Sequence, residues 1–265
     1  MFWVICALKQ NPIAKPGISA GAAENKHGTE PKRMRSLNRL NDFFYLFFPG
    51  ICMACNSPLQ HGEQVICTSC GYYLPLHNSH LNADNAVSRL FWGRIDLVSA
   101  AAYYSFQKGS HVQRLMHQLK YKGRKEVGTE IGKRFGAELK QTQLFRQAEL
   151  IIPVPLHARK LKKRGYNQSD FFAHGLSSKM GIGVDSVSLV RETITETQTR
   201  KSRFERWKNV ESKFRLIDDT AVRGKHILLV DDVVTTGATL EACARVLLGT
   251  EGTKVSIAAM AVAVY

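Results

Sequence analysis

The stretch HILLVDDVVTTGATL, His226 to Leu240, is an apolar run that leads directly into two adjacent carboxylates and then into a turn of small and hydroxyl-bearing residues. Branched apolar residues from Ile227 to Val230 favour a buried strand. Asp231 and Asp232 follow at its carboxyl end, and Ala238 to Leu248 has the pattern of a helix. A helix N-terminus preceded by Gly237 presents backbone N–H groups and a positive dipole end to an anion. Thr235, Thr236 and Thr239 add hydroxyl donors. The candidate binding loop is therefore Val233, Val234, Thr235, Thr236, Gly237, Ala238 and Thr239. Two acids beside a phosphate cradle suit a sugar phosphate, because carboxylates accept from hydroxyls or hold hydrated Mg²⁺. Helix capping alone asks for one residue such as Asp232 or Thr235, not for this array.

Reading outward, strands and helices alternate. Leu97–Phe106 is rich in β-branched and aromatic residues and is expected as a strand. Val112, Leu115, Met116 and Leu119 fall on one helical face, and Val127, Ile131, Phe135 and Leu139 on another. Leu150–Val154 is expected as a buried strand, Ser169–Met180 as a helix, Val184–Val190 as a strand and Val255–Val264 as a final strand. Alternation of this kind predicts an α/β fold with a parallel sheet flanked by helices, whose ligands bind at the carboxyl ends of strands.

Upstream, Cys52-x2-Cys55 and Cys67-x2-Cys70 form two knuckles whose four thiolates can converge on one tetrahedral ion. The competing reading is a pair of disulfides in a secreted chain. Met1–Leu8 has an apolar run without a basic region before it, so no secretory signal is expected and zinc is the preferred reading. His61 is a spare ligand nearby, and Cys243 sits on an apolar helix face as core.

The 265 residues are 44% hydrophobic with 20 Gly and 8 Pro, which excludes wholesale disorder and collagen-like composition. No apolar run approaches the length of a membrane span. The formal charge of +15 is uneven: Lys108–Arg164 holds 15 basic and 4 acidic residues, whereas Ile51–Ala100 holds 2 and 3. A polyanion is the expected partner of the basic segment. Residues 1–35 are expected as a disordered extension, 36–76 as an amphipathic helix with a zinc-ribbon module, 77–95 as a linker and 96–265 as the α/β domain. Met34, just before the regular segment, is a candidate alternative translation start, which the intact mass of the native protein would test.

The Asp231 to Thr239 motif resembles that of type I phosphoribosyltransferases, which bind 5-phosphoribosyl-1-diphosphate (PRPP). Together with Leu119-Lys120-Tyr121-Lys122-Gly123, IIPVPLHARKLKKRGYNQSD at 151–170 and the four cysteines, it is similar to the ComF family, the competence-protein F and GntX-like phosphoribosyltransferases. The resemblance runs from about Leu40 to Val264. It implies a type I phosphoribosyltransferase fold with an N-terminal zinc ribbon, structural Zn²⁺ on Cys52, Cys55, Cys67 and Cys70, and PRPP bound with Mg²⁺. Asp231 and Asp232 would hold the ribose hydroxyls, Thr235 to Thr239 the 5-phosphate, and Arg164, with Lys162 or Lys163, the diphosphate. Gln198, Arg206, Asn209 and Phe214 would belong to a closing loop, where Arg200 and Lys201 depart from the Gly and Leu common in the family.

By that resemblance the protein is expected in the cytoplasm, acting in competence-linked uptake or processing of single-stranded DNA with other DNA-uptake or recombination proteins. Tyr121 and Tyr166 are candidate base-stacking residues. The alternatives are an active glycosyl transferase releasing diphosphate from PRPP, and a non-catalytic nucleotide-sensing regulator.

Overall fold

The computed structural model describes residues 50–191 and 214–264. The cysteine-bearing segment contains a short helix, α1 (Thr68–Tyr73), and is followed by a 3-10 turn (Ser79–Leu81) and helix α2 (Ala86–Arg89). Asn85 starts α2 by accepting from the amides of Val87 and Ser88 at 2.8 and 3.0 Å. Then come β1 (Ser99–Phe106), α3 (His111–Tyr121), α4 (Glu126–Leu139), β2 (Leu150–Pro153), α5 (Ala158–Arg164), α6 (Gln168–Met180) and β3 (Gly183–Val184). The chain continues through β4 (Leu189–Arg191), β5 (Phe214–Leu216), β6 (His226–Val234), α7 (Ala238–Leu248) and β7 (Lys254–Ala263).

Five strands form one parallel sheet in the order β1–β7–β6–β2–β3. Both faces are covered, which is why the strands read as nearly continuous apolar runs. Strand periodicity sends Leu228, Val230, Ala258 and Met260 into one core, where they meet Leu115, Leu119, Ile131, Phe135 and Phe172. Ile227, Leu229, Ile257 and Ala259 enter the other, with Val87, Phe91, Leu240, Cys243 and Leu247. Each fully buried branched or aromatic side chain contributes roughly 1.5–3 kcal/mol against exposure.

Helices α4 and α6 approach with backbone in contact. A Cβ on Gly132 would lie 2.3 Å from the carbonyl oxygen of Phe172, and one on Gly175 would lie 2.3 Å from that of Thr129. Helix α6 begins with Gln168 and Ser169, so this contact also sets the depth of one wall of the cleft described below.

The expected strand at Val184–Val190 is not continuous. The Asp185 carboxylate accepts from the amides of Val187 and Ser188, both at 2.9 Å, and this local turn separates β3 from β4. Strand β4 then pairs antiparallel with β5, outside the main sheet. The basic run 159–164 forms α5, a helix with no buried residue that stops at Gly165. Residues 77–95 are loop-rich, yet His80, Val87 and Phe91 are buried. The cysteine module shares a core with the α/β elements: Met53, Ile66 and Leu74 belong to the same apolar cluster as Tyr104 and Leu115. Arg114 also donates to the Ala54 carbonyl at 3.1 Å. The expected extension at 1–35, the helix over 36–48, and Gln198, Arg200, Lys201, Arg206 and Asn209 lie outside the described residues.

Candidate binding cleft and metal centre

At the carboxyl ends of β2 and β6 lies a polar cleft of about 200 Å³. Asp231, Asp232, Val233 and Thr239 line it from β6 and α7, with Lys120 from α3, Lys160 and Arg164 from α5, and Ser169 from α6. Asp231 Oδ1 accepts from the Asp232 amide at 2.8 Å and from Ser169 Oγ at 3.1 Å. Burial, reinforced by the neighbouring Asp232 carboxylate, pushes Asp231 up to about 7. Lys120 Nζ pairs with Asp232 Oδ2 at 2.9 Å. The two acids therefore carry less than their formal charge of two near neutral pH, and a lysine offsets part of that. An anionic ligand bearing hydroxyls would meet hydrogen-bond acceptors there without a strongly repulsive wall.

The opposite wall is cationic. Arg164 Nη1 donates to Gln168 Oε1 at 2.7 Å, which orients the guanidinium on α5. Strand β2 closes on the Pro153-Val154-Pro155 turn, where the Val154 amide donates to the Val230 carbonyl at 2.8 Å before α5 leaves the sheet. Asn167 Nδ2 ties this turn to α6 by donating to the Val154 carbonyl and to Asp170 Oδ1, both at 3.0 Å.

The loop after β6 turns at Gly237, whose φ of +76° is open to glycine and strained for other residues. Gly237 is the N-cap of α7 and has no side chain to cap it, so neither Asp232 nor Thr235 occupies the capping role. The first amides of α7 remain open to an external acceptor. Thr235, Thr236, Ala238 and Thr239 are exposed, whereas Val234 packs its side chain into the core at 1% exposure and offers only backbone. Among the candidate residues, Asp231, Asp232, Arg164, Val233 and Thr239 share the cleft, while Thr235 to Gly237 form the loop beyond it and Ala238 opens α7.

Sequence reasoning missed Lys120, Lys160 and Ser169 as cleft residues. The motifs at 119–123 and 151–170 contain all three, but neither motif says which carboxylate a given cation faces. Tyr166 hydrogen-bonds to the Leu119 carbonyl and packs on Phe171 and Lys125, so it serves the packing. Tyr121 is 61% exposed, with the Arg164 guanidinium 5.4 Å from its ring centre. Phe214, expected near a closing loop, is buried in β5 with Arg191 over its ring.

In the cysteine module, the four Sγ atoms of Cys52, Cys55, Cys67 and Cys70 lie within 4.8 Å of one another, and none is in a disulfide. Cys55 and Cys67 sulfurs are 3.8 Å apart. A tetrahedron with metal–sulfur bonds of about 2.3 Å has edges of about 3.8 Å, so the arrangement can hold a metal ion. Amides support it, Cys67 N donating to Cys52 Sγ at 3.3 Å and Cys70 N to Cys67 Sγ at 3.4 Å. Burial pushes the Cys67 and Cys70 thiols up, while hydrogen bonds from Ser57 bring Cys55 down to about 6. A bound cation would offset the cost of ionising the buried pair. Among the described residues no helix is long and apolar enough to cross a membrane.

A family model described as a phosphoribosyl transferase domain matches residues 171–264. The chain is 33% identical over 221 residues to the DNA utilization protein YhgH of Escherichia coli O157:H7, covering 77% of this chain and 92% of that protein. It is 35% identical over 117 residues to Competence protein F of Haemophilus influenzae, covering 43% of this chain and 51% of that protein. With Competence protein ComFC of Bacillus subtilis it shares 25% identity over 198 residues, covering 75% of this chain and 78% of that protein.

Proposed function

Because this chain belongs to the ComF family of competence and DNA utilization proteins with a phosphoribosyltransferase domain, we propose that its cleft binds PRPP or a related ribose phosphate. The carrying observation is the Asp231–Asp232 pair facing Lys120 and Arg164 in one cleft, directly before an uncapped helix start. In this reading Asp231 and Asp232 accept hydrogen bonds from ribose hydroxyls. The backbone of Thr235 to Thr239 receives the 5-phosphate, and Lys160 and Arg164 neutralise the diphosphate. Mg²⁺, bound with the diphosphate, would spread its charge further. Ser169 holds Asp231 in place through its 3.1 Å hydrogen bond, and Lys120 holds Asp232 through the 2.9 Å ion pair. If transfer occurs, the bond from ribose C1 to diphosphate breaks and the diphosphate leaves with the electron pair, while the lone pair of an acceptor nucleophile forms the new bond to C1 and its proton passes to solvent. The cationic wall of the cleft stabilises the departing charge.

The metal of the cysteine module is proposed to be Zn²⁺, held by four thiolates as a structural ion. Reduced thiols of this kind suit the cytoplasm, where the protein is placed in this reading.

Single-stranded DNA is the proposed macromolecular partner. Lys122, Arg124 and Lys125 after α3 and Arg159, Lys160, Lys162 and Lys163 on α5 are exposed, and Tyr121 offers a ring face among these cations. Phosphate contacts by such cations release counterions, so binding should fall steeply with salt.

Calorimetry with PRPP and Mg²⁺ tests the cleft. The wild-type protein should bind, and Asp231→Asn/Asp232→Asn should not; equal binding by both removes these residues from the site. A screen for diphosphate release with candidate acceptors separates a transferase from a binder. Gel shifts with single-stranded DNA over a salt series test the basic face, and an absent or salt-independent shift rejects it.

A further inference from the structure

Residues 77–95 read as a connector in the sequence, yet they carry contacts that shape the loop after β6. Phe91 is 1% exposed, and its Cε1 lies 2.8 Å from where a Cβ on Gly237 would sit. Three residues on, Arg94 Nη1 donates to the Thr236 carbonyl at 3.2 Å and to the Leu90 carbonyl at 2.8 Å. Its other terminal nitrogen pairs with Glu241 in the first turn of α7. Arg245 completes a ring, Nη2 donating to Glu241 Oε1 at 2.8 Å and to the Arg94 carbonyl at 2.7 Å. Burial raises the Glu241 carboxyl, but hydrogen bonds from Arg245 and Arg94 outweigh it and hold the group below its ordinary range.

Arg94 and Arg245 keep 38% and 48% of their side chains exposed, and ion pairs of that exposure contribute little to global stability. Their specific consequence is geometric. One guanidinium holds both a loop carbonyl and the first turn of α7, while a buried ring fills the space beside the left-handed residue between them. A carbonyl committed to Arg94 cannot turn toward a bound anion and repel it.

We infer that Phe91 and Arg94 are positioning residues for the phosphate loop, fixing the Thr236–Gly237 turn so that the amides of α7 are arranged before the anion arrives. Preorganisation of this kind raises affinity by removing the ordering cost at binding. The inference rests on the ribose-phosphate reading of the cleft, and two probes separate the two claims. Ribose 5-phosphate engages the loop, whereas inorganic diphosphate engages the Lys160–Arg164 wall.

The test is calorimetry of both probes on the full chain, as wild type, Arg94→Ala, Arg94→Lys and Phe91→Leu, with thermal unfolding and metal content measured alongside. Arg94→Ala should weaken ribose 5-phosphate about tenfold and leave diphosphate within about twofold. Phe91→Leu should act in the same direction. Arg94→Lys should recover part of the loss, since an ammonium keeps the charge but cannot span the Thr236 carbonyl and Glu241 as the guanidinium does. Unfolding midpoints should move by only a few degrees. If the wild type binds ribose 5-phosphate and the variants bind it equally well, the positioning role is wrong. Equal weakening of both probes also overturns it, because that pattern marks general loosening. If the wild type binds neither probe, the ribose-phosphate reading fails and the inference goes with it. Should Arg94→Ala not fold, Phe91→Leu and Arg94→Lys carry the same comparison.

Discussion

The four thiols of the cysteine module come from one short stretch, Cys52 to Cys70, whereas the cleft gathers Lys120, Arg164, Ser169 and Asp231 from four separate elements. The first is local chemistry: two knuckles bring their own sulfurs together, and the neighbouring core receives the result. The second exists only once the sheet has stacked β2 beside β6 and helices α3 and α6 have packed on one face. Damage to the first should therefore act on the fold, and damage to the second on binding.

Removal of the proposed Zn²⁺ should have the largest effect. Isolated zinc modules gain about 10–16 kcal/mol from the ion, and this module shares its core with the sheet. Cys70→Ser or chelation should lower the unfolding midpoint by about 10 °C or more and release one metal ion per chain. An unchanged midpoint would mean that packing alone holds the module. Next, Asp231→Asn/Asp232→Asn should reduce PRPP affinity by about a hundredfold or more, as two charge-assisted bonds are lost, with little change in metal content. The comparison breaks if this variant instead loses its metal.

Gly132→Ala probes how far the cleft depends on remote packing. Its Cβ would meet the Phe172 carbonyl at 2.3 Å, so α4 and α6 must separate, at a cost of about 3 kcal/mol in chemical denaturation. PRPP binding should weaken with it, because α6 carries Ser169.

A smaller effect follows from Asp231. In the unfolded chain it releases its proton near 3.8, and in the folded cleft at about 7. Between these values the native state holds the extra proton, so stability falls as pH rises through the window and levels off above it. The fall should be absent in Asp231→Asn, as read from denaturant midpoints between pH 4 and 8. Smallest is Tyr121→Ala, which should weaken single-stranded DNA binding by about 1 kcal/mol at fixed salt.

Legibility followed the same division. The strand–acid–acid–turn–helix order around Asp231 was readable because each part is a local preference, and the four cysteines were readable from spacing. The helix faces of Val112–Leu119 and Val127–Leu139 were readable because burial repeats every three or four residues, and all of those positions are buried. The split at Asp185 was not readable, because an apolar run hides a side chain that competes for backbone amides. The partnership of Lys120 with Asp232 was equally hidden, as was that of Arg94 with Thr236. Both join residues more than a hundred positions apart in the chain.

The amino-acid order alone determined the parallel α/β plan, the four-cysteine cluster and the location of the acid pair at a strand end, because these rest on periodicity, spacing and adjacency. Only the tertiary structure decided which cation faces which acid, that Tyr166 is packing while Tyr121 is a surface, and that Phe91 and Arg94 meet the Thr236–Gly237 turn. The physical reason is that charge pairing and desolvation depend on distances across the fold, and local sequence carries no measure of those distances.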